Sequence, residues 1–297
     1  ELTTEDEHHI ISEVVSIPFF RYAHTSLYGE CRLWPCNPQC GLEDCHVEDV
    51  PAHTIPSMIS ECDCSQYGHR TEGAYYDLQS VLEGNTNFNG PEAQRLWATI
   101  YSDCCGSPGS IPYQLLSGIH ASITAHICRR FEREQCGWLT NSDLWYERMW
   151  GHAERVDNLV FAHDVLRAAV LRVETQLRDL AQRDFRDDPA IAERIQQLFQ
   201  FLECTRDRGR EVCANLEAHR SELAPQLEVL ARKLQEVMDC VGCSKCQLWG
   251  KLQAQGICAA LRVLLTGQCP MLTRMDLVAL LNTYAAVTDS QRTVDLF

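Results

Sequence analysis

The chain has 297 residues, 45% of them hydrophobic, with a formal net charge of -15 and a pI near 5.1. That length can bury a substantial core. The acidity excludes the basic surface that nucleic-acid binding or a polybasic lipid-docking patch requires, and no run of about eighteen apolar residues is present to form a membrane-spanning helix.

In chain order, the start ELTTEDEHH is acidic and polar, so any signal peptide is expected to precede it or to have been removed. Seventeen cysteines follow. Such a number fits a disulfide-bearing protein of an oxidising compartment or a metal-rich one better than a reduced cytosolic enzyme. The count is odd, so without a metal at least one thiol is free or shared. Six cysteines lie between Cys31 and Cys64, in a stretch rich in Pro, Asn, Gly and Asp that reads as irregular structure. Cys104 and Cys105 are adjacent, and Cys240, Cys243 and Cys246 form a compact trio.

From about Asp164 onward the pattern is helical. Leu166, Val170, Val173, Leu177 and Leu180 recur at three- and four-residue steps and share one face. Asp188 followed by Pro189 predicts a helix start. Leu223, Leu227, Leu230, Leu234 and Val237 repeat the stepping up to the cysteine trio, over too few heptads for a coiled coil. Alternating Val/Ile/Thr runs are scarce. The expected fold is mostly α, one domain over 1–297 with a long, loop-rich, cysteine-rich N-terminal segment at 28–66.

Four sets of residues carry candidate chemistry. The trio is a C-x-x-C-x-x-C placed just before a helical pattern, where backbone N–H groups and the helix dipole stabilise a thiolate and Lys245 adds positive charge. The same spacing is a half-site for zinc, and spacing alone leaves redox and metal readings open. Cys40 and Cys45 form a C-x4-C among Glu43, Asp44, Glu48 and Asp49, whose charges disfavour a thiolate. Spacing alone reads the pair as a structural staple in a surface loop; the alternative is an electron relay, since a disulfide that waits to be attacked needs no low-pKa sulfur. Trp97, Ser117, His120 and His126 cluster mid-chain and read as core residues or as ligand contacts. Arg155 reads as a surface cation or a binding group.

Together the strings VMDCVGCSKCQLWGKLQAQG, LLSGIHASITAHI, GPEAQRLWATIYSDCC and PFFRYAHTSLYGECRLWP resemble the endoplasmic reticulum oxidoreductin family, from about Phe19 to about Val287. The resemblance implies a helical FAD-binding oxidase of the endoplasmic reticulum lumen. Such an enzyme takes electrons from protein disulfide isomerase and passes them to O2, giving hydrogen peroxide. It further implies that Cys40 and Cys45 are the outer shuttle pair and that Cys243 and Cys246 are the inner pair beside the flavin. Cys31 and Cys240 are implied to form a structural disulfide, and Thr86, Trp97, Ser117, His120 and Arg155 to hold FAD. No metal site and no transmembrane segment are implied, and peripheral membrane association is left open.

The chain also departs from the family pattern. Gly84 stands where an FAD-contacting arginine is usual, and Arg155 alone remains where two arginines are common. The loop after Cys105 is shortened, which removes that cysteine's usual mate. Cys36 adds a second C-x4-C with Cys31. No N-x-[ST] sequon occurs. The competing expectations are a zinc-binding interaction module and a flavin sulfhydryl oxidase of unrelated helical fold.

Overall fold

The computed structural model describes residues 3–17, 20, 100–102, 107, 109–130, 149–150, 153–185, 188–239, 244–266 and 269–295. Among these residues every regular element is a helix and none is a strand. The mostly α fold class expected from the periodicity is therefore observed. The helices are α1 (Thr4–Val15), α2 (Ile111–Arg130), α3 (Ala153–Arg172), α4 (Glu174–Asp184), α5 (Pro189–Cys204), α6 (Arg206–Ala218), α7 (Arg220–Asp239), α8 (Ser244–Leu265) and α9 (Arg274–Asp295). The cysteine-rich stretch 28–66 lies outside the described residues.

The bundle is built around α9, which packs on α8, α3, α2 and α1. A helix buried on nearly every side must satisfy its polar groups internally. Here Thr288, Ser290 and Thr293 donate back to the carbonyls of Tyr284, Ala286 and Asp289 at 2.8, 2.9 and 2.8 Å. Asn282 donates to the carbonyls of Val278 and Phe20, both at 2.8 Å. The start of α9 is fixed reciprocally. Thr273 Oγ1 accepts from the Asp276 N–H at 3.2 Å, while the Asp276 carboxylate accepts from the Thr273 N–H at 3.2 Å.

A cluster of ionisable side chains fastens α1 to this centre. The Glu7 carboxylate, 2% exposed, receives Arg167 Nη2 at 2.6 Å and Arg167 Nε at 3.0 Å from α3. Tyr284 of α9 donates its hydroxyl to the same carboxylate, and His163 lies 3.4 Å from it. The His163 ring stacks on Tyr284 and its Nε2 meets Thr288 Oγ1 at 3.1 Å. Asp164 takes a further Arg167 N–H at 2.9 Å. Burial pushes the Glu7 carboxyl upward, but His163 and Arg167 outweigh it and hold the group well below the usual range. Burial, with the Glu7 charge beside it, pushes the Tyr284 phenol well up. Every strong donor here has an acceptor.

The predicted stripe Leu166, Val170, Val173, Leu177 and Leu180 is buried throughout, but it belongs to two helices rather than one. The chain turns at Val173, whose N–H is shared between the Ala169 and Val170 carbonyls at 3.2 Å each. The flanking side chains are engaged elsewhere. Arg172 donates to the Leu264 and Thr266 carbonyls at 3.3 Å each, satisfying orphan acceptors at the end of α8. Gln176 donates to the Pro270 carbonyl at 2.6 Å and accepts from the Leu272 N–H at 3.0 Å. The break thus ties the α8–α9 connection to the bundle. At α5 the expected start is observed: Asp188 caps the Ala190 N–H at 3.2 Å and Pro189 opens the helix. Leu223, Leu227, Leu230 and Leu234 form the buried face of α7.

Candidate functional site

Helix α2 begins where Ser110 Oγ accepts the Tyr113 N–H at 3.4 Å, with Pro112 in the first turn. From Leu115 to Ile123 every residue is buried, so α2 is enclosed by other elements on its several faces. Ser117 and His120 stand one turn apart on one side of it, at 9% and 3% exposure. His120 Nδ1 shares a 3.0 Å hydrogen bond with the hydroxyl of Tyr101, and the Tyr101 ring meets Tyr113 edge-on at 5.5 Å. This pairing orients the imidazole inside the protein. Tyr101 was absent from the candidates drawn from sequence, although it stands in the same string as Trp97.

Gly118, next to Ser117, marks the closest approach of α2 to α3. A Cβ there would lie 2.2 Å from the Asn158 carbonyl oxygen and 2.7 Å from the Ala162 Cβ. Only glycine lets the two backbones meet at this distance. Arg155 is half-buried in the first turn of α3, one turn before Asn158. Asn158 is 3% exposed, and its Nδ2 has no hydrogen-bond partner among the described residues.

Helix α8 begins at Ser244, which puts position 246 in its first turn and position 243 immediately ahead of it. The sequence pattern set the whole trio just before a helix; the helix instead starts within it, ahead of position 246. Further along, Gly256 lets α8 lie against α9, where a Cβ would fall 2.0 Å from Thr283 Oγ1. Between these points Gln253, 1% exposed, bridges to α2. Its Oε1 accepts from Ser122 Oγ at 2.8 Å, and Ser290 Oγ of α9 lies 3.3 Å from the Ser122 hydroxyl. Gln253 Nε2 has no partner among the described residues. The strings bearing Ser117 with His120 and the C-x-x-C therefore reach α2 and α8, and Arg155 stands on α3, helices that pack on one another.

Cys31, Cys40, Cys45, Thr86, Trp97, Cys240 and Cys243 lie outside the described residues, as does the side chain of Cys246. Among the described cysteines, Cys204, Cys213, Cys258 and Cys269 are free thiols. Burial pushes the Cys258 thiol up to about 12, and burial also raises Cys213 and Cys269 against the opposing charge of Arg172. None of these three has the depressed pKa of a reactive thiolate. Among the described residues no cluster of His, Cys, Asp and Glu could hold a metal ion, and no helix is long and apolar enough to cross a membrane.

Residues 60–294 match the family model of Endoplasmic Reticulum Oxidoreductin 1 (ERO1). The chain belongs to this family. Curated relatives agree along its whole length. Endoplasmic reticulum oxidoreductin-2 of Arabidopsis thaliana is 30% identical, covering 99% of this chain and 74% of the relative. Endoplasmic reticulum oxidoreductin-1 of the same plant is 29% identical over 99% and 76%. Endoplasmic oxidoreductin-1 of Saccharomyces cerevisiae is 24% identical over 97% of this chain and 62% of the relative. A solved structure of Ero1p, described as a source of disulfide bonds for oxidative protein folding in the cell, shares the fold. Its TM-score is 0.62 at 22% identity, covering 99% of this chain and 95% of that one. ERO1 membership makes the chain an oxidoreductase of disulfide formation, and the names of its relatives point to the endoplasmic reticulum.

Proposed function

We propose that this ERO1-family chain is a flavin-dependent thiol oxidase of the endoplasmic reticulum lumen, folded as one domain over 1–297. It reoxidises protein disulfide isomerase and delivers the electrons to O2, giving hydrogen peroxide. The observation that carries the reading is the start of α8 at Ser244, which puts the inner C-x-x-C at a helix N-terminus. That helix packs directly on the helix bearing Ser117 and His120. A dithiol at a helix N-terminus gains thiolate character from the dipole, which suits exchange at neutral pH.

Electrons follow two exchanges. A thiolate of the reduced isomerase attacks one sulfur of the Cys40–Cys45 disulfide, and its second thiol resolves the mixed disulfide, leaving Cys40 and Cys45 reduced. That dithiol then reduces Cys243–Cys246 in the same way, so two electrons and two protons move at each step. FAD, when bound, supplies the two-electron acceptor that empties the inner dithiol and reduces O2 to hydrogen peroxide. Ser117, His120 and Arg155, with Thr86 and Trp97, would hold it. The fit is supported by buried polar groups on α2, α3 and α8 within an otherwise apolar core, since a cofactor carrying many hydrogen-bond acceptors requires such partners. The Tyr101 hydroxyl fixes the His120 ring. A Cys31–Cys240 staple would join the outer segment's root to the inner pair.

The test is oxygen uptake with two substrates. Cys40→Ala with Cys45→Ala is expected to abolish oxidation of the isomerase while a small dithiol still drives oxygen consumption. Cys243→Ala or Cys246→Ala is expected to block both. Undiminished isomerase oxidation by the outer-pair variant removes the shuttle role. A colourless wild-type protein containing zinc removes the oxidase reading altogether.

A further inference from the structure

Gln253 is the most thoroughly enclosed of the buried amides among the described residues, and half of it is unused. Its carbonyl end is held by Ser122 at 2.8 Å, and Ser122 is braced by Ser290 at 3.3 Å. Its Nε2, in a side chain 1% exposed, donates to nothing among the described residues. A buried amide donor without an acceptor loses its hydration for no return, so folding alone gives no reason to keep it. A glutamine anchored at one pole by a serine pair from two other helices is also not free to turn away.

Its position says what the second pole faces. Position 246 lies seven residues earlier in α8, close to two full turns, so the two share a helix face about 10 Å apart along the axis. Side chains of a helix tilt toward its N-terminus, and Gln253 therefore extends toward the end that carries the C-x-x-C. The chemistry wanted there is a hydrogen-bond acceptor.

Resting on the oxidase reading above, we propose that Gln253 is a flavin-binding residue of this chain. Its Nε2 donates to an acceptor atom of the cofactor, and Ser122 and Ser290 are positioning residues that aim it. Gln253 entered none of the sequence candidates although it stands in the string VMDCVGCSKCQLWGKLQAQG, because its contacts lie across helices.

The experiment uses the purified holoprotein as Gln253→Met, Gln253→Glu and Ser122→Ala. Three quantities are read for each: the flavin dissociation constant, the visible flavin spectrum, and the far-ultraviolet helical melt. Gln253→Met is expected to weaken flavin binding about tenfold, the loss of one well-placed donor, and to shift the visible band while helical content stays native. Ser122→Ala is expected to move both flavin readouts the same way by less. Should the methionine variant fail to fold, Gln253→Glu keeps the size and replaces the donor by an acceptor, and the same loss of flavin is expected. Unchanged affinity and spectrum in a folded Gln253 variant overturn the assignment. So does flavin loss that occurs only in step with the helical melt, since that is the mark of a purely structural glutamine. A wild-type protein without flavin overturns the oxidase reading and this one with it, and is recognised before any variant is made.

Discussion

Two buried polar regions sit within the same helical bundle and are built on opposite plans. Around Glu7 every strong group is matched: Arg167 is shared between Glu7 and Asp164, Tyr284 donates to Glu7, and His163 meets Thr288. Around Ser122 and Gly118 the matching stops short, and Asn158 Nδ2 and Gln253 Nε2 are left as donors without acceptors among the described residues. A closed network specifies a structure, because each member has one arrangement that satisfies it. An open one in an otherwise packed core marks a place where something from outside completes the count. The first region is the clasp that holds α1 in place, and the second borders the proposed flavin site.

The sharpest way to break this contrast is to remove a member of the closed network. Arg167→Met would leave the Glu7 carboxylate at 2% exposure without its bidentate partner. Breaking a buried ion pair on one side costs about 3–5 kcal/mol. Urea unfolding of the variant should show a loss of that order. A loss below about 1 kcal/mol would mean that the clasp behaves like a surface pair and that α1 is held by apolar packing alone.

A smaller effect sharpens it through pH. The folded Glu7 carboxyl is depressed by His163 and Arg167, against burial, from its ordinary value of 4.5. A depressed carboxylate contributes stability that is fully present above its unfolded pKa and is lost as pH falls below that value toward the folded one. Asp164 and Tyr284, the other titratable groups at the site, respectively share Arg167 and donate to Glu7. The melting temperature should therefore fall from about pH 5 to about pH 3, and Glu7→Gln should fall less steeply over the same range. Parallel slopes in the two proteins would place the acid sensitivity elsewhere among the carboxylates.

How far the sequence reveals these regions depends on whether a feature is local. Periodicity marks the stripe from Leu166 to Leu180 and the α7 leucines, and cap chemistry marks Asp188 with Pro189, because each depends on residues a few positions apart. The break at Val173 is not local: it follows from Arg172 and Gln176 reaching the 264–272 stretch. The Glu7 clasp joins residues 160 and 277 positions apart, and no pattern in the chain announces it. In the candidate site, Ser117, His120 and Arg155 were legible through family strings. Tyr101, Asn158 and Gln253 were not, because their importance lies in what they touch or fail to touch across helices. The implied pairs, Cys31 with Cys240, Cys40 with Cys45 and Cys243 with Cys246, lie outside the described residues and side chains.

The smallest predicted effect tests the comparison from its other side. If Asn158 Nδ2 has no acceptor within the chain, then Asn158→Leu removes a desolvated donor and substitutes apolar volume of similar size. Replacing an unsatisfied polar group in this way is near neutral or slightly stabilising, within about 1 kcal/mol, whereas deleting a satisfied one is not. The carbonyl of residue 158 that abuts Gly118 belongs to the backbone and survives the change. Urea unfolding of Asn158→Leu should thus leave the midpoint within that margin or raise it, in contrast to the large fall expected for Arg167→Met. A loss of about 2 kcal/mol or more would show that the Asn158 amide is matched after all. The open region would then be a second closed network, and the physical case for Gln253 as the donor awaiting an acceptor would lose its companion.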